Sequence, residues 1–95
     1  MAIRLNNEEV RTALQDLPGW ALKEGRIEKT FVFDTYAEGV AFAVKVALQA
    51  EKADHHPDSL EIMWGMVRVA YVTHSAGGIT RLDLEAAAKT DTLAQ

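Results

Sequence analysis

Val40-Ala41-Phe42-Ala43-Val44-Lys45-Val46-Ala47-Leu48, continued by Gln49-Ala50-Glu51-Lys52-Ala53-Asp54, is the stretch on which the fold turns. Apolar residues cover most of its helical circumference, and only Lys45, Gln49 and Lys52 form an obvious wet stripe. A helix that apolar packs on more than one partner, so this is the central core helix. It is predicted to run from about Tyr36 to Asp54, with Asp34 or Thr35 as its cap. His55-His56-Pro57 follow, and Pro57 excludes helical geometry at His56, so the helix ends around His55.

Upstream, Glu8 to Leu17 has helical spacing, with Val10, Ala13, Leu14 and Leu17 on one face. Glu8 and Glu9 suit its positive end, Asn7 is the expected cap, and Pro18-Gly19 stops it. Trp20–Lys23 and Arg26–Phe33 read as strands around the turn Glu24-Gly25. Ile27, Phe31 and Phe33 share one face, where Lys29 is the exception.

Downstream, Leu60, Ile62 and Trp64 alternate as a third strand, Gly65-Met66 makes a turn, and Val67–His74 is a fourth strand. Both faces of that fourth strand carry apolar residues, which implies a cover on the second face, such as another subunit. Ser75-Ala76-Gly77-Gly78 is a loop. A last helix runs from Thr80 to about Thr92, with Thr80 and Asp83 spaced as a capping box. Trp20 and Trp64 read as core aromatics. The expected fold is therefore α+β, in the order α-β-β-α-β-β-α: a four-stranded antiparallel sheet with three helices packed on one face, in a single domain over residues 1–95.

Composition narrows the chemistry. There is no cysteine, so disulfides and thiolate metal sites are excluded. The net charge of −4 and the lack of a Lys/Arg cluster argue against a nucleic-acid surface. No secretory signal is visible at the N-terminus, and the apolar run Val40–Val44 is far short of the roughly 20 residues of a membrane span. A soluble, cytoplasmic protein is expected.

That leaves the 3 histidines, and proton transfer comes first among the chemistries they offer. His55 lies at the end of the central helix, with Glu51 one turn before it. The helix dipole and that carboxylate both favour the protonated ring, which suits an acid able to donate near neutral pH. The plainer reading is a favourable C-terminal cation. His56, extended by Pro57, projects away from His55; it either flanks a flat substrate or is a surface loop residue. His74 ends a strand beside Thr73, Ser75 and Gly77-Gly78, groups able to bond a polar ligand. Asp83 either closes the capping box or orients an imidazole. A zinc site is the sharpest competitor, drawing on the histidines with Glu51, Asp54, Asp58 or Asp83, although adjacent histidines lack the one-face i, i+4 spacing of a helical zinc motif.

Glu51-x3-His55-His56-Pro57-x6-Trp64-x9-His74-x8-Asp83, with Gly19-Trp20, Phe31-Val32-Phe33, Thr73-His74 and Gly78-Ile79-Thr80, resembles the pterin-4a-carbinolamine dehydratases. Members also act in animals as dimerisation cofactors of a homeodomain transcription factor. The resemblance implies the same α+β fold and the dehydration of 4a-hydroxytetrahydropterin to quinonoid dihydropterin, in tetrahydrobiopterin recycling for aromatic amino acid hydroxylation. By position it implies that His55, His56 and His74 are catalytic or substrate-orienting, with Asp83 and Glu51 in support. Pro57 and Thr73 through Ala76, including Ser75, would line the pterin site. It further implies a homodimer or homotetramer and no metal or redox cofactor. Two rivals remain: a non-enzymatic dimerisation cofactor or assembly chaperone on this fold, and a metal-dependent hydrolase.

Overall fold

The computed structural model describes residues 2–95. Its elements are α1 (Asn7–Leu14), β1 (Ala21–Lys23), β2 (Arg26–Val32), α2 (Tyr36–Ala53), β3 (Ser59–Met63), β4 (Met66–Tyr71) and α3 (Arg81–Leu93), with a short 3-10 turn at His74–Ala76. The sheet is antiparallel in the order β1-β2-β4-β3. This is the α+β arrangement expected, three helices against a four-stranded sheet.

Register decides which side chains face the helices. Ile27 pairs with Tyr71, Lys29 with Val69, and Phe31 with Val67, and Leu60 of β3 stands opposite Val69. Alternation sends these residues to one face. There Ile27, Phe31, Val67, Val69 and Tyr71 join Val10 of α1, Phe42, Ala43 and Val46 of α2 and Ala87 of α3 in one core. Phe42 packs on Phe31 and Phe33, with ring centroids 4.7 and 5.1 Å apart. Gly39 is the point where α2 faces β4: a Cβ there would meet Val67 Cγ2 at 3.4 Å, an ordinary contact distance. Lys29, the misfit in the apolar alternation, spans the core edge. Its Nζ donates to Asp91 Oδ1 at 2.9 Å and to the Pro18 carbonyl at 3.0 Å, and Trp20 Nε1 donates to the same Asp91 oxygen at 3.0 Å. Lys29 thus ties the end of α3 to the sheet.

The expected boundaries shift at several places, each for a local reason. Asn6, not Asn7, caps α1, because Asn6 and Glu9 close a reciprocal capping box. Thr35 caps α2. α2 ends at Ala53: Asp54 takes a left-handed conformation (φ 54°), its amide and that of His55 bond back to Glu51 and Ala50, and the helix closes in a Schellman turn. Trp64 is neither a strand residue nor a core aromatic. It forms the β3–β4 turn with Gly65 (φ 72°) and is 80% exposed, because Met63 pairs with Met66 and leaves the two residues between them as the loop. β4 ends at Tyr71, so His74 rides on the 3-10 turn instead of ending a strand. An isolated bridge between Thr73 and Gly78 closes the base of that turn.

Candidate functional site

The site begins with the Schellman turn. It reverses the chain after α2, so the His55 ring lies nearly parallel to Tyr71, with centroids 6.2 Å apart and planes 15° apart. Its Nε2 lies 2.7 Å from Asp83 Oδ1. The carboxylate beside His55 is therefore Asp83 on α3, not Glu51 of its own helix, and the helix-surface pairing expected from i−4 spacing does not form. Glu51 instead meets His56 Nε2, at 2.7 Å.

Asp83 is wholly buried and its acceptor positions are occupied. Oδ2 accepts from the Thr80 amide at 2.9 Å and from Thr73 Oγ1 at 2.8 Å. With the Thr73 proton committed to Asp83, the 2.9 Å contact between Thr73 and Thr80 has the Thr80 hydroxyl donating. Asp83 is thus both capping-box residue and imidazole partner, the two roles its spacing allowed. A buried carboxylate accepting these bonds receives the third from His55, which places the His55 proton on Nε2 and leaves Nδ1 free.

Thr73 carries this geometry to the next histidine. It is buried between Asp83 and Thr80, while His74, one residue later, is 78% exposed at the side chain. His74 Nε2 lies 2.6 Å from Asp58 Oδ1. Asp58 follows Pro57 by one residue and donates its amide to the Ala70 carbonyl at 2.8 Å. So residues 54–58 and 73–76 are adjacent, tied by Asp83 to Thr73 and by Asp58 to His74. All of the histidines expected at the site come to one region, and each has its own carboxylate on Nε2. The buried pair is His55–Asp83, with side chains 15% and 0% exposed; His56–Glu51 lies open to solvent. Pro57 is half-buried and Ser75 exposed on the rim of this region, with Ala76 partly covered.

Burial pushes the Tyr71 phenol above its usual range, opposed by its bond to Thr90 and reinforced by the nearby charge of Asp83. Tyr71 Oη lies 2.7 Å from Thr90 Oγ1, which itself donates to the Ala86 carbonyl, so Tyr71 is the donor. It remains a neutral platform under His55. A mainly apolar crevice of about 180 Å³ between α2 and α3 reaches His55 and Tyr71, with Leu82, Ala86 and Ala50 on its walls. Neither His56 nor His74 lines it, so a molecule touching all the histidines would lie outside it, over the 54–58 and 73–76 turns.

Neither the pairing of Asp58 with His74 nor the presence of Arg26 at the site follows from residue spacing. Arg26 Nη1 donates to Asp58 Oδ2 at 2.8 Å. Its guanidinium, and then His74, hold the Asp58 carboxyl below the usual carboxylate range, with burial opposing. Asp58 could be noticed as an acid two residues past His56, but Arg26 is distant in the chain and had no local signal. Among the described residues, no three His, Asp or Glu side chains converge as ligands for a metal ion. Asp54 serves as the left-handed closing residue of α2. No helix is long and apolar enough to cross a membrane among these residues.

Known proteins share this architecture. The family described as pterin 4 alpha carbinolamine dehydratase matches residues 3–93. A protein of Roseiflexus sp., named "Putative pterin-4-alpha-carbinolamine dehydratase", is 42% identical over 91 residues, covering 96% of this chain and 97% of its own. The solved structure of a transcriptional coactivator/pterin dehydratase from Brucella melitensis superposes with a TM-score of 0.89 at 35% identity, over 97% of this chain and 99% of that one. A pterin dehydratase-like protein identified as a RuBisCO assembly factor in the alpha-carboxysome superposes with a TM-score of 0.65 at 25% identity, over 79% of this chain and 86% of that one.

Proposed function

The chain belongs to the pterin-4-alpha-carbinolamine dehydratase family, and from that premise we propose that it dehydrates 4a-hydroxytetrahydropterin to quinonoid dihydropterin by histidine acid–base catalysis. The observation that carries this reading is the His55–Asp83 pair, an imidazole 2.7 Å from a fully buried carboxylate.

The reaction needs two proton movements and no electron acceptor. A proton goes to the departing 4a-oxygen and the C4a–O bond breaks. The lone pair of the adjacent ring nitrogen closes the C=N bond, and the proton on that nitrogen leaves. Water and the quinonoid product result. Imidazoles suit both transfers, because their ordinary pKa is about 6.5. Asp83 holds His55 with Nε2–H inward, so its Nδ1 is the basic atom, and the buried carboxylate stabilises the imidazolium formed on proton capture. That assigns His55 as base. His74, on an exposed turn, is the acid that protonates the leaving oxygen. His56 and Pro57 hold the flat ring, with Thr73, Ser75 and Ala76 bordering it. Asp83 acts through His55, and Glu51 steadies His56.

The test is decay of the 4a-carbinolamine with and without the protein at neutral pH. Acceleration is expected, with a bell-shaped pH profile whose limbs move in His55 and His74 variants. Wild-type turnover in both His55→Ala and His74→Ala would defeat the reading.

Turnover unchanged by both substitutions would favour the second reading, an assembly or coactivator protein, supported by the descriptions of the two solved neighbours. The exposed apolar side chains Tyr36, Val44 and Leu48 of α2 offer either reading a place for another protein surface, including a second copy in a dimer or tetramer.

A further inference from the structure

His74 presents a problem of order. It projects from a 3-10 turn with most of its side chain in water, and a histidine so placed samples several rotamers unless something holds it. Among the described residues, the only side chain bonded to it is Asp58, at 2.6 Å. Asp58 in turn is clamped through its other oxygen by Arg26, the first residue of β2, at 2.8 Å.

We propose that Arg26 and Asp58 are positioning residues for His74: the Arg26 guanidinium locks one oxygen of Asp58 and so aims the other at His74 Nε2, leaving Nδ1 toward the substrate. This rests on the reading of His74 as the acid. The consequence is specific. With Nε2–H committed to Asp58, the proton delivered to the departing oxygen comes from Nδ1 and is regained there from solvent.

The surrounding charges agree with this order. Arg26 itself is raised by its bond to Asp58, opposed by burial, with the Asp58, Glu28 and Glu24 charges adding to the rise. Lys23 lies 3.9 Å from Glu28 and shares that carboxylate with Arg26. The groups facing Asp58 are thus Arg26 and His74, and those behind Arg26 are Glu28, Glu24 and Lys23. A carboxyl held below its ordinary range stays ionised wherever an imidazole changes charge, so His74 has an acceptor in both of its states. The anchor is firm at both ends: Arg26 sits in a β-ladder opposite Lys23, and the Asp58 amide is bonded to β4.

The experiment is a set of steady-state turnover measurements combined with carbon-13 titration of the Asp58 carboxyl. Arg26→Gln and Asp58→Asn are expected to lower kcat about tenfold with KM little changed, since misaiming a proton donor costs rate more than binding. Arg26→Lys, which keeps the charge, should recover part of the loss. Arg26→Gln combined with His74→Asn should be no slower than His74→Asn alone, because two residues acting through one group are not additive. Arg68→Gln, on the same outer sheet face but paired with Glu61, is the control with unchanged turnover. In Arg26→Gln the Asp58 carboxyl midpoint should rise toward the ordinary value, a readout independent of turnover. Multiplicative losses in the double variant, or an unmoved Asp58 midpoint, would overturn the positioning role. If His74→Asn alone turns over at the wild-type rate, His74 is not the acid and the positioning role goes with it; if only the Arg26 and Asp58 variants are silent, the positioning role alone fails.

Discussion

Two histidine–carboxylate pairs of nearly equal length sit in very different surroundings. His55–Asp83 is 2.7 Å and its carboxylate has no solvent exposure; His74–Asp58 is 2.6 Å but its imidazole is 78% exposed. Distance alone would rank them as equals. Their environments do not, because a buried carboxylate cannot exchange a lost partner for water, whereas an exposed imidazole can. The inner pair is therefore part of the fold as well as of the proposed chemistry. The outer one adds little to the fold, and its geometry depends on Arg26.

The sharpest way to break this comparison is Asp83→Ala. It strips the acceptor from His55, Thr73 and the Thr80 amide at once. Urea unfolding should show a loss of about 3–5 kcal/mol, and turnover should vanish. A loss no larger than that of a surface substitution would mean that burial does not separate the two pairs. Next comes Asp83→Asn, which keeps the shape but can present an N–H to His55. Turnover is expected to fall by about 10²–10⁴-fold, more than stability would suggest, as it does when an orienting carboxylate is neutralised; the comparison of kcat with the unfolding midpoint reads it.

His74→Ala tests the other side. It should lower turnover by about 10²-fold or more while stability stays within about 0.5 kcal/mol, as for other exposed positions. A large stability loss there would erase the distinction. Acid titration sharpens it further. Asp58 has its carboxyl held below the usual range, first by Arg26 and then by His74. The folded state therefore prefers the ionised form. Its stabilisation is complete above the unfolded value of about 3.9 and is lost as pH falls through the lower folded value. In urea unfolding at a series of acidic pH values, the gap between wild type and Asp58→Asn should shrink as pH falls below about 4. The smallest effect is reserved for Glu51→Gln. Its pair with His56 is open to water on both sides, so stability should change by less than about 0.5 kcal/mol, with turnover within about twofold of wild type.

Legibility in the sequence follows how local each feature is. The capping box of Thr80 and Asp83 was readable because it spans one helical turn, and Glu24-Gly25 was readable because Gly25 supplies the positive φ (78°) at the second turn position. Pro57 predicts an end of α2 near His55, yet the helix stops at Ala53, because Asp54 adopts a left-handed conformation that non-glycine residues seldom take. Trp64 departs from the expected strand for a related reason: period-two alternation continues into a turn residue although the strand itself stops at Met63. At the site, the three histidines and Asp83 stood out by type and spacing. Their pairing did not. Glu51 is one helical turn from His55 in sequence and nevertheless bonds His56, since the chain reversal at Asp54 turns His55 toward α3.

Residue order alone determined the succession of elements, the apolar faces that form the core and the family to which the chain belongs, because these depend on neighbours a few positions apart. Tertiary structure alone decided which carboxylate meets which imidazole, that Asp83 is sealed from water while His74 is not, and that Arg26 stands behind Asp58. Those contacts join residues 28, 16 and 32 positions apart. No local rule spans such separations; only the packing of α3, β2 and the two turns against one sheet brings the partners within hydrogen-bond reach.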